Sequence, residues 1–301
     1  MPFGLKTAPG VFNRMMRKLL GPIKHLGIHH FMDDVLIATE TWETHLTALR
    51  AILQRLKEAN LAAKPSKCFL GFANLSFLGH EIGEGKRWPE EANVEKIKNA
   101  KLPRNKKELR SFLGMCNFYR NYIQDFARIA SHLTDLTKKQ HPDKICWNEA
   151  AQSSFVMLKE KLCEKPILQM PDYTKTFVLR TDASKEALGA VLLQEHEGIL
   201  KPVSYQSKRL NSAESNYSTV ERECYAAVWG VRKFERFLYG TEFILETDHQ
   251  PLKSLQMNPT NPRLLRWSLQ LQPYKYKVRY IAGRDNHGAD YLSRSTCPED
   301  L

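Results

Sequence analysis

Between residues 176 and 281 three strand patterns follow one another, and then a long helix leads into strands that alternate with helices. That order predicts a mixed β-sheet with helices packed on it. The expected strands are 176–182, 188–194 and 203–206, then a helix at 219–238, a strand at 243–248, short helices at 250–257 and 261–271, a strand at 276–281 and a last helix near 289–294. Each strand is apolar, alternating or β-branched, and the helices carry the 3.6-residue stripe.

The same stretch places acids at the ends of these elements. Asp182 closes the first strand and Asp248 the fourth, each in a Thr-Asp dipeptide after an apolar run. If the two strands are neighbours in one sheet, the two side chains converge at its end. Ser218-Thr219-Val220-Glu221 fits a capping box, which makes Ser218 the N-cap of the long helix. The helix stripe then runs Val220, Cys224, Ala227, Val231, Phe234, with Glu223 at its edge, where a carboxylate is costly unless a cation or a donor meets it. Asp290 begins the last helix. Singly, each acid reads as a cap or a surface residue. Taken together, Asp182, Glu223, Asp248 and Asp290 suit two-metal phosphodiester cleavage, which needs several hard oxygen ligands whose charge offsets that of two Mg²⁺ ions.

The first half carries a second acidic feature. Asp33 and Asp34 stand side by side within Ile28-His29-His30-Phe31-Met32-Asp33-Asp34-Val35-Leu36-Ile37. Adjacent carboxylates repel and interrupt a run that otherwise favours burial, and a hairpin turn that offers both to a divalent cation resolves the conflict. On its own the dipeptide also fits a surface hairpin with an acidic tip. Before it, 9–20 reads as a helix with Val11, Phe12, Met15, Met16, Leu19 and Leu20 on one stripe. After it, 44–60 reads as an amphipathic helix with Leu46, Leu49, Ile52, Leu53 and Leu56 facing inward, and 68–70 and 75–82 read as short strands.

Residues 93–140 are helical in pattern and dense in both cations and aromatics. The window 96–110 holds Lys96, Lys98, Lys101, Arg104, Lys106, Lys107 and Arg110 with Glu108 as its one acid, followed by Phe112, Phe118, Tyr119, Tyr122 and Phe126. Such a mixture suits a surface that tracks a nucleic-acid backbone, and equally a solvated helical face packed by its aromatics. The formal net charge of +12 points to a polyanionic partner. The excess sits in residues 1–175, with 28 Lys/Arg against 18 Asp/Glu, while 176–301 carries 17 against 15. No cysteine pair has C-x-x-C spacing and no apolar run is long enough to span a bilayer, so a reduced intracellular setting, cytoplasmic or nuclear, and no membrane partner are expected. The N-terminus lacks the charged start and apolar core of a signal peptide.

Several motifs resemble those of one family almost end to end. Met1-Pro2-Phe3-Gly4-Leu5-Lys6-Thr7-Ala8-Pro9, Phe31-Met32-Asp33-Asp34, Phe77-Leu78-Gly79-His80 and Lys107-Glu108-Leu109-Arg110-Ser111-Phe112-Leu113-Gly114 with Phe118-Tyr119-Arg120 are similar to the nucleotide-site, metal-hairpin, primer-grip and thumb motifs of gypsy-like LTR-retrotransposon Pol reverse transcriptases. Thr181-Asp182-Ala183-Ser184, Glu221-Arg222-Glu223, Thr247-Asp248-His249 and Ala289-Asp290-Tyr291-Leu292-Ser293-Arg294 resemble the RNase H motifs that follow in those proteins.

The resemblance implies an α+β and α/β chain, with part of a reverse transcriptase palm at 1–90, a helical thumb at 91–140, a connection at 141–175, an RNase H-like domain at 176–295 and a tail at 296–301. It gives Asp33 and Asp34 to the polymerase metals, Phe3 and Gly4 to the nucleotide pocket, and Asp182, Glu223, Asp248 and Asp290 to the RNase H metals. The metals would be Mg²⁺, with Mn²⁺ as substitute. Phe77, Leu78, Gly79, His80, Lys106, Lys107 and Arg110 would contact nucleic acid. Related enzymes often place a His ten residues before the last Asp; here that position is Tyr280, a candidate for proton shuttling, and His287 reads as a surface residue.

The implied partners are an RNA–DNA hybrid or primer-template, and the rest of the Pol polyprotein, in a virus-like particle, or another copy of the chain. A third polymerase Asp would precede the Met-Pro-Phe-Gly motif. The expectation is therefore an N-terminally truncated polymerase of doubtful activity joined to an RNase H able to cut hybrids. The alternatives are a nucleic-acid-binding remnant or co-opted protein without turnover, and a polymerase completed by a partner.

Overall fold

The computed structural model describes residues 4–248 and 261–281. Phe3, His249, His287, Asp290 and the helices expected at 250–257 and 289–294 lie outside the described residues. The chain divides into two compact units, Met1–Leu78 and Gly79–Leu301. The division falls within the segment expected to form a single partial palm.

The first unit contains α1 (Ala8–Leu20), β1 (Ile28–Phe31), β2 (Asp34–Ile37), α2 (Trp42–Glu58) and β3 (Asn74–Phe77). Its buried core is Met16, Leu20, Ile28, Ala48 and Ile52. The expected stripes are only partly covered, since Val11 and Leu53 remain 45% and 51% exposed. Thr41 caps α2 in a reciprocal pair with Thr44. The strand expected at 68–70 does not form. Phe69 and Leu70 lie in a loop, both exposed, because three apolar residues without a partner strand cannot satisfy their backbone. Gly27 closes the base of the β1–β2 hairpin at φ 76, and a Cβ there would stand 2.0 Å from the Ala38 carbonyl oxygen.

In the second unit β4 (His80–Gly83), β5 (Lys86–Pro89) and the short β6 (Leu168–Gln169) pair antiparallel. Between β5 and β6 the chain forms α3 (Glu91–Lys98), α4 (Lys106–Phe118), α5 (Phe126–Ile129), α6 (Ser131–Leu136) and α7 (Glu149–Cys163). Leu109, Phe112, Tyr119, Leu133 and Leu158 pack their core. Asn105 and Asn148 cap α4 and α7 by accepting the N–H of Glu108 and Ala151.

The sheet comprises β7 (Phe177–Ala183), β8 (Ala187–His196), β9 (Ile199–Arg209), β10 (Glu242–Thr247) and β11 (Lys275–Tyr280), in the order β11-β10-β7-β8-β9. β7, β8 and β9 form an antiparallel meander, whereas β10 and β11 run parallel to β7. The long helix α8 (Thr219–Lys233), the short α9 (Glu235–Leu238) and α10 (Pro262–Leu271) supply apolar side chains to the same core. Ser218 caps α8 in the full capping box with Glu221. Gly230 lets α8 lie close on the sheet, since a Cβ there would come within 2.9 Å of Thr181 Cγ2. Among the described residues no helix is long and apolar enough to cross a membrane.

Candidate active site

Asp182 is the penultimate residue of β7, and Asp248 follows the last residue of β10. The parallel register sets Glu246 opposite Arg180. Two residues further along both strands come Asp248 and Asp182, so the two carboxylates leave adjacent strands at the same sheet end. Glu223 reaches that end from the first turns of α8. Its carboxylate accepts the Ala183 N–H, and it feels the charges of both Asp182 and Asp248.

Glu223 is 6% exposed, and its Oε2 has no hydrogen-bond partner. Burial, reinforced by the two neighbouring aspartates and opposed by Arg222, pushes its carboxyl up from 4.5 to about 9. Without a cation the group is therefore protonated at neutral pH. A buried carboxylate oxygen without a donor, beside two more acids, is the donor chemistry that hard divalent cations take. Among the described residues no set of three His, Cys, Asp or Glu side chains is gathered into a ready ligand cluster, and Asp290 lies outside those residues. The oxygen donors fit Mg²⁺ in kind, but they are not drawn in around one point.

Just behind the aspartates lies a row that the sequence reading missed. Glu246 is 2% exposed. Arg180 on β7 places Nε and Nη2 2.8 Å from its Oε2. Arg279 on β11 places Nε at 2.9 Å and Nη2 at 2.7 Å from Oε1. The three residues are in register across three strands. The signal was present as Arg-Thr-Asp and Glu-Thr-Asp at corresponding places in two strands. A small cavity of about 20 Å³, room for one water, touches Asp182, Arg180 and Gln206. It also touches Asp125, which the sequence reading did not single out. Asp125 has φ 52, and its Oδ1 would stand 3.1 Å from a Cβ on Gly189, the residue paired with Asp182 on β8. Burial raises the Asp125 carboxyl above its usual range, with Arg128 opposing.

The other candidates are dispersed. Asp33 and Asp34 are both exposed on the β1–β2 hairpin, where Phe31 pairs with Asp34 around the two-residue turn Met32-Asp33. Met32 takes φ 53, a left-handed conformation that costs a residue bearing a Cβ. Gly4 is exposed ahead of α1. Phe77 ends β3, and the chain passes Leu78 and Gly79 at φ 51 and 78. His80 is not presented as a free contact: it stacks on Phe118 at 5.2 Å and meets Tyr122 Oη through Nδ1 at 3.0 Å. Burial and Arg87 lower its pKa. Lys106 corrects the sequence reading. Its side chain turns inward and its ammonium donates to the Lys138 and His141 carbonyls, both at 2.6 Å, and with the residue buried the ammonium is held inside the fold rather than presented to a phosphate. Lys107 and Arg110 are exposed. Tyr280 is 44% exposed and pairs with Thr247, the residue before Asp248.

Comparison with known proteins fits this architecture. Residues 1–82 match the family described as reverse transcriptase (RNA-dependent DNA polymerase), and residues 172–274 match the RNase H-like domain found in reverse transcriptase. The retrovirus-related Pol polyprotein from transposon 412 of Drosophila melanogaster is 38% identical over 99% of this chain, and that from transposon 297 is 37% identical over 100%. The transposon Tf2-3 polyprotein of Schizosaccharomyces pombe is 35% identical over 98%. The chain spans only 24%, 28% and 22% of those three relatives. A foamy viral protease-reverse transcriptase solved with double-stranded DNA superimposes with a TM-score of 0.84 at 24% identity, over 99% of this chain and 51% of that one. The same type of protein solved with an RNA/DNA hybrid gives 0.79 at 24%, over 93% and 39%. At that identity the likeness speaks for the fold alone. The domain matches and the relatives together place this chain in the reverse transcriptase–RNase H family of LTR-retrotransposon Pol polyproteins.

Proposed function

We propose that the second unit hydrolyses the RNA strand of RNA–DNA hybrids. The observation that carries this reading is the convergence of Asp182 and Asp248 at one sheet end beside the buried, half-unpartnered carboxylate of Glu223. Asp182, Glu223 and Asp248, with Asp290 as the fourth acid of the sequence motif, would hold two Mg²⁺ ions, which supply an activated water and stabilise the leaving oxygen. The protein's own part is positioning. The Ala183 N–H fixes one side of the Glu223 carboxylate, leaving Oε2 to face a cation. The Arg180–Glu246–Arg279 row stiffens the strands that carry the two aspartates, and its net positive charge keeps a strand of phosphates close to them. Tyr280 stands one register step from Asp248, where a phenol could relay a proton.

The test is cleavage of a labelled RNA–DNA hybrid by the full chain in Mg²⁺, compared with Asp182→Asn. Loss of at least a hundredfold in rate supports the reading. Equal, background-level cleavage by both proteins, with salt-sensitive hybrid binding retained, would instead make this a nucleic-acid-binding remnant. For the first unit the proposal is narrower. Two exposed neighbouring carboxylates on one turn are weak ligands for a pair of cations, so slow or absent primer extension is expected from this chain acting alone.

A further inference from the structure

Helix α8 has two working faces. At about 100° per residue, Tyr225, Trp229 and Arg232 lie roughly 180–240° around the axis from Glu223. The side turned away from the carboxylates opens on a cleft of about 640 Å³ bounded by α8, β9 and α10, with Arg120 at one wall. That volume lies within the roughly 300–1,000 Å³ of ligand sites.

The lining is strongly cationic. Arg120, Lys208, Arg209, Arg232 and Lys233 border the cleft, and among the described residues no carboxylate does. Lys208 is neutralised by Glu214, and Arg209 by Asp135. Among the described residues the other three have no carboxylate partner. Arg120 donates to the Ser207 carbonyl at 2.7 Å, and Arg232 reaches only the amide oxygen of Gln270 at 3.3 Å. Trp229 and Trp267 also line the cleft, each 8% exposed. Among the described residues neither indole N–H has an acceptor, and neither nitrogen is among the buried orphaned atoms, so both remain open to solvent. The Trp267 ring is held by stacking on Tyr225 at 5.4 Å. Fixed N–H donors, uncompensated cations and aromatic walls are what a phosphodiester strand with unpaired bases requires.

We propose that this cleft binds single-stranded nucleic acid, at a site separated from the catalytic carboxylates by the body of α8. Arg120, Arg232 and Lys233 neutralise its phosphates, and the indole N–H groups of Trp229 and Trp267 donate to phosphate or base oxygens. The site does not depend on turnover, so it stands or falls separately from the hydrolysis proposed above.

The test is fluorescence anisotropy of a labelled oligo-dT 8-mer with the full chain across a salt series. Arg232→Glu/Lys233→Glu reverses two exposed charges without touching the core. It should weaken binding about tenfold or more and lower the salt slope by about 1.4. Trp229→Phe, which keeps an aromatic ring in the wall and removes the donor, should weaken binding several-fold. Unchanged affinity and slope in the double variant would overturn the proposal. So would a poly-glutamate peptide of equal charge competing as well as the oligonucleotide does, which would mark the cleft as a site for acidic protein segments.

Discussion

Arg180 and Glu246 face each other in register across the parallel β7–β10 pair, with Nε and Nη2 of the arginine both 2.8 Å from one carboxylate oxygen. Arg279 holds the other oxygen from β11. The carboxylate is 3% exposed and the Arg180 side chain 19%, so removing the acid leaves a largely buried cation alone. Glu246→Leu should cost about 3 kcal/mol in urea unfolding. Combining it with Arg180→Met should restore much of the loss, because the desolvated charge goes too. A single variant as stable as the wild type would show the row to be solvated in practice.

Glu223 predicts an unusual pH dependence. Its folded carboxyl titrates at about 9 against 4.5 unfolded, so the folded state holds the proton more tightly. Stability from this group is fully present below 4.5 and is lost progressively as pH rises toward 9. Glu223→Gln should therefore flatten the fall in thermal midpoint over that window and raise the midpoint near pH 8. Mg²⁺ should stabilise the wild type at pH 8, where a cation favours the ionised form, and should do so less in Glu223→Gln. A wild-type midpoint that climbs between pH 5 and 8 without metal would contradict the burial argument.

What the sequence revealed and what it hid divide along physical lines. α8 was legible from its stripe and its Ser218–Glu221 box, but the helix expected over 219–238 breaks at Phe234 into α8 and the short α9. The strands carrying Asp182 and Asp248 were legible as apolar runs ending in Thr-Asp. Strand pairing was not, since register depends on partners distant in the chain, and so the Arg180–Glu246–Arg279 row stayed hidden. The strand expected at 68–70 failed because apolar content alone does not supply a neighbouring edge. Glu223, placed at the rim of the stripe, turned out buried, because the end of β7 closes over it as well as α8. The cleft behind α8 draws on four separate segments, which no local pattern brings together.

Gly79 offers a sharper test of local geometry. It sits at φ 78, and a Cβ would come within 3.1 Å of two Phe118 ring carbons. Phe118 in turn stacks on His80, while Tyr119 Oη donates to the Gly79 carbonyl at 2.7 Å. Gly79→Ala should cost about 1–2 kcal/mol from the left-handed backbone. Phe118→Ala in the same background should recover the part due to the clash alone. An alanine variant within 0.5 kcal/mol of the wild type, by roughly the scatter of surface changes, would mean the turn relaxes.

Lys106 and its neighbour Lys107 should behave in opposite ways despite identical chemistry. The Lys106 ammonium is held by the Lys138 and His141 carbonyls at the ends of two 2.6 Å bonds, and its residue is 8% exposed. It ties the start of α4 to the segment after α6, where the Lys138 carbonyl also accepts the His141 N–H. Lys106→Met removes charge-assisted bonds that contribute about 1.5–3 kcal/mol, and should lower stability by about 2 kcal/mol while leaving the salt dependence of nucleic-acid binding unchanged. Lys107→Gln, on the exposed face, should leave the unfolding midpoint in place, and if α4 tracks a duplex backbone it should reduce the salt slope by about 0.9. Measuring both variants by urea titration and by hybrid binding over a salt series separates the two roles. A reduced slope in Lys106→Met would show that the ammonium leaves its carbonyl cage when nucleic acid arrives.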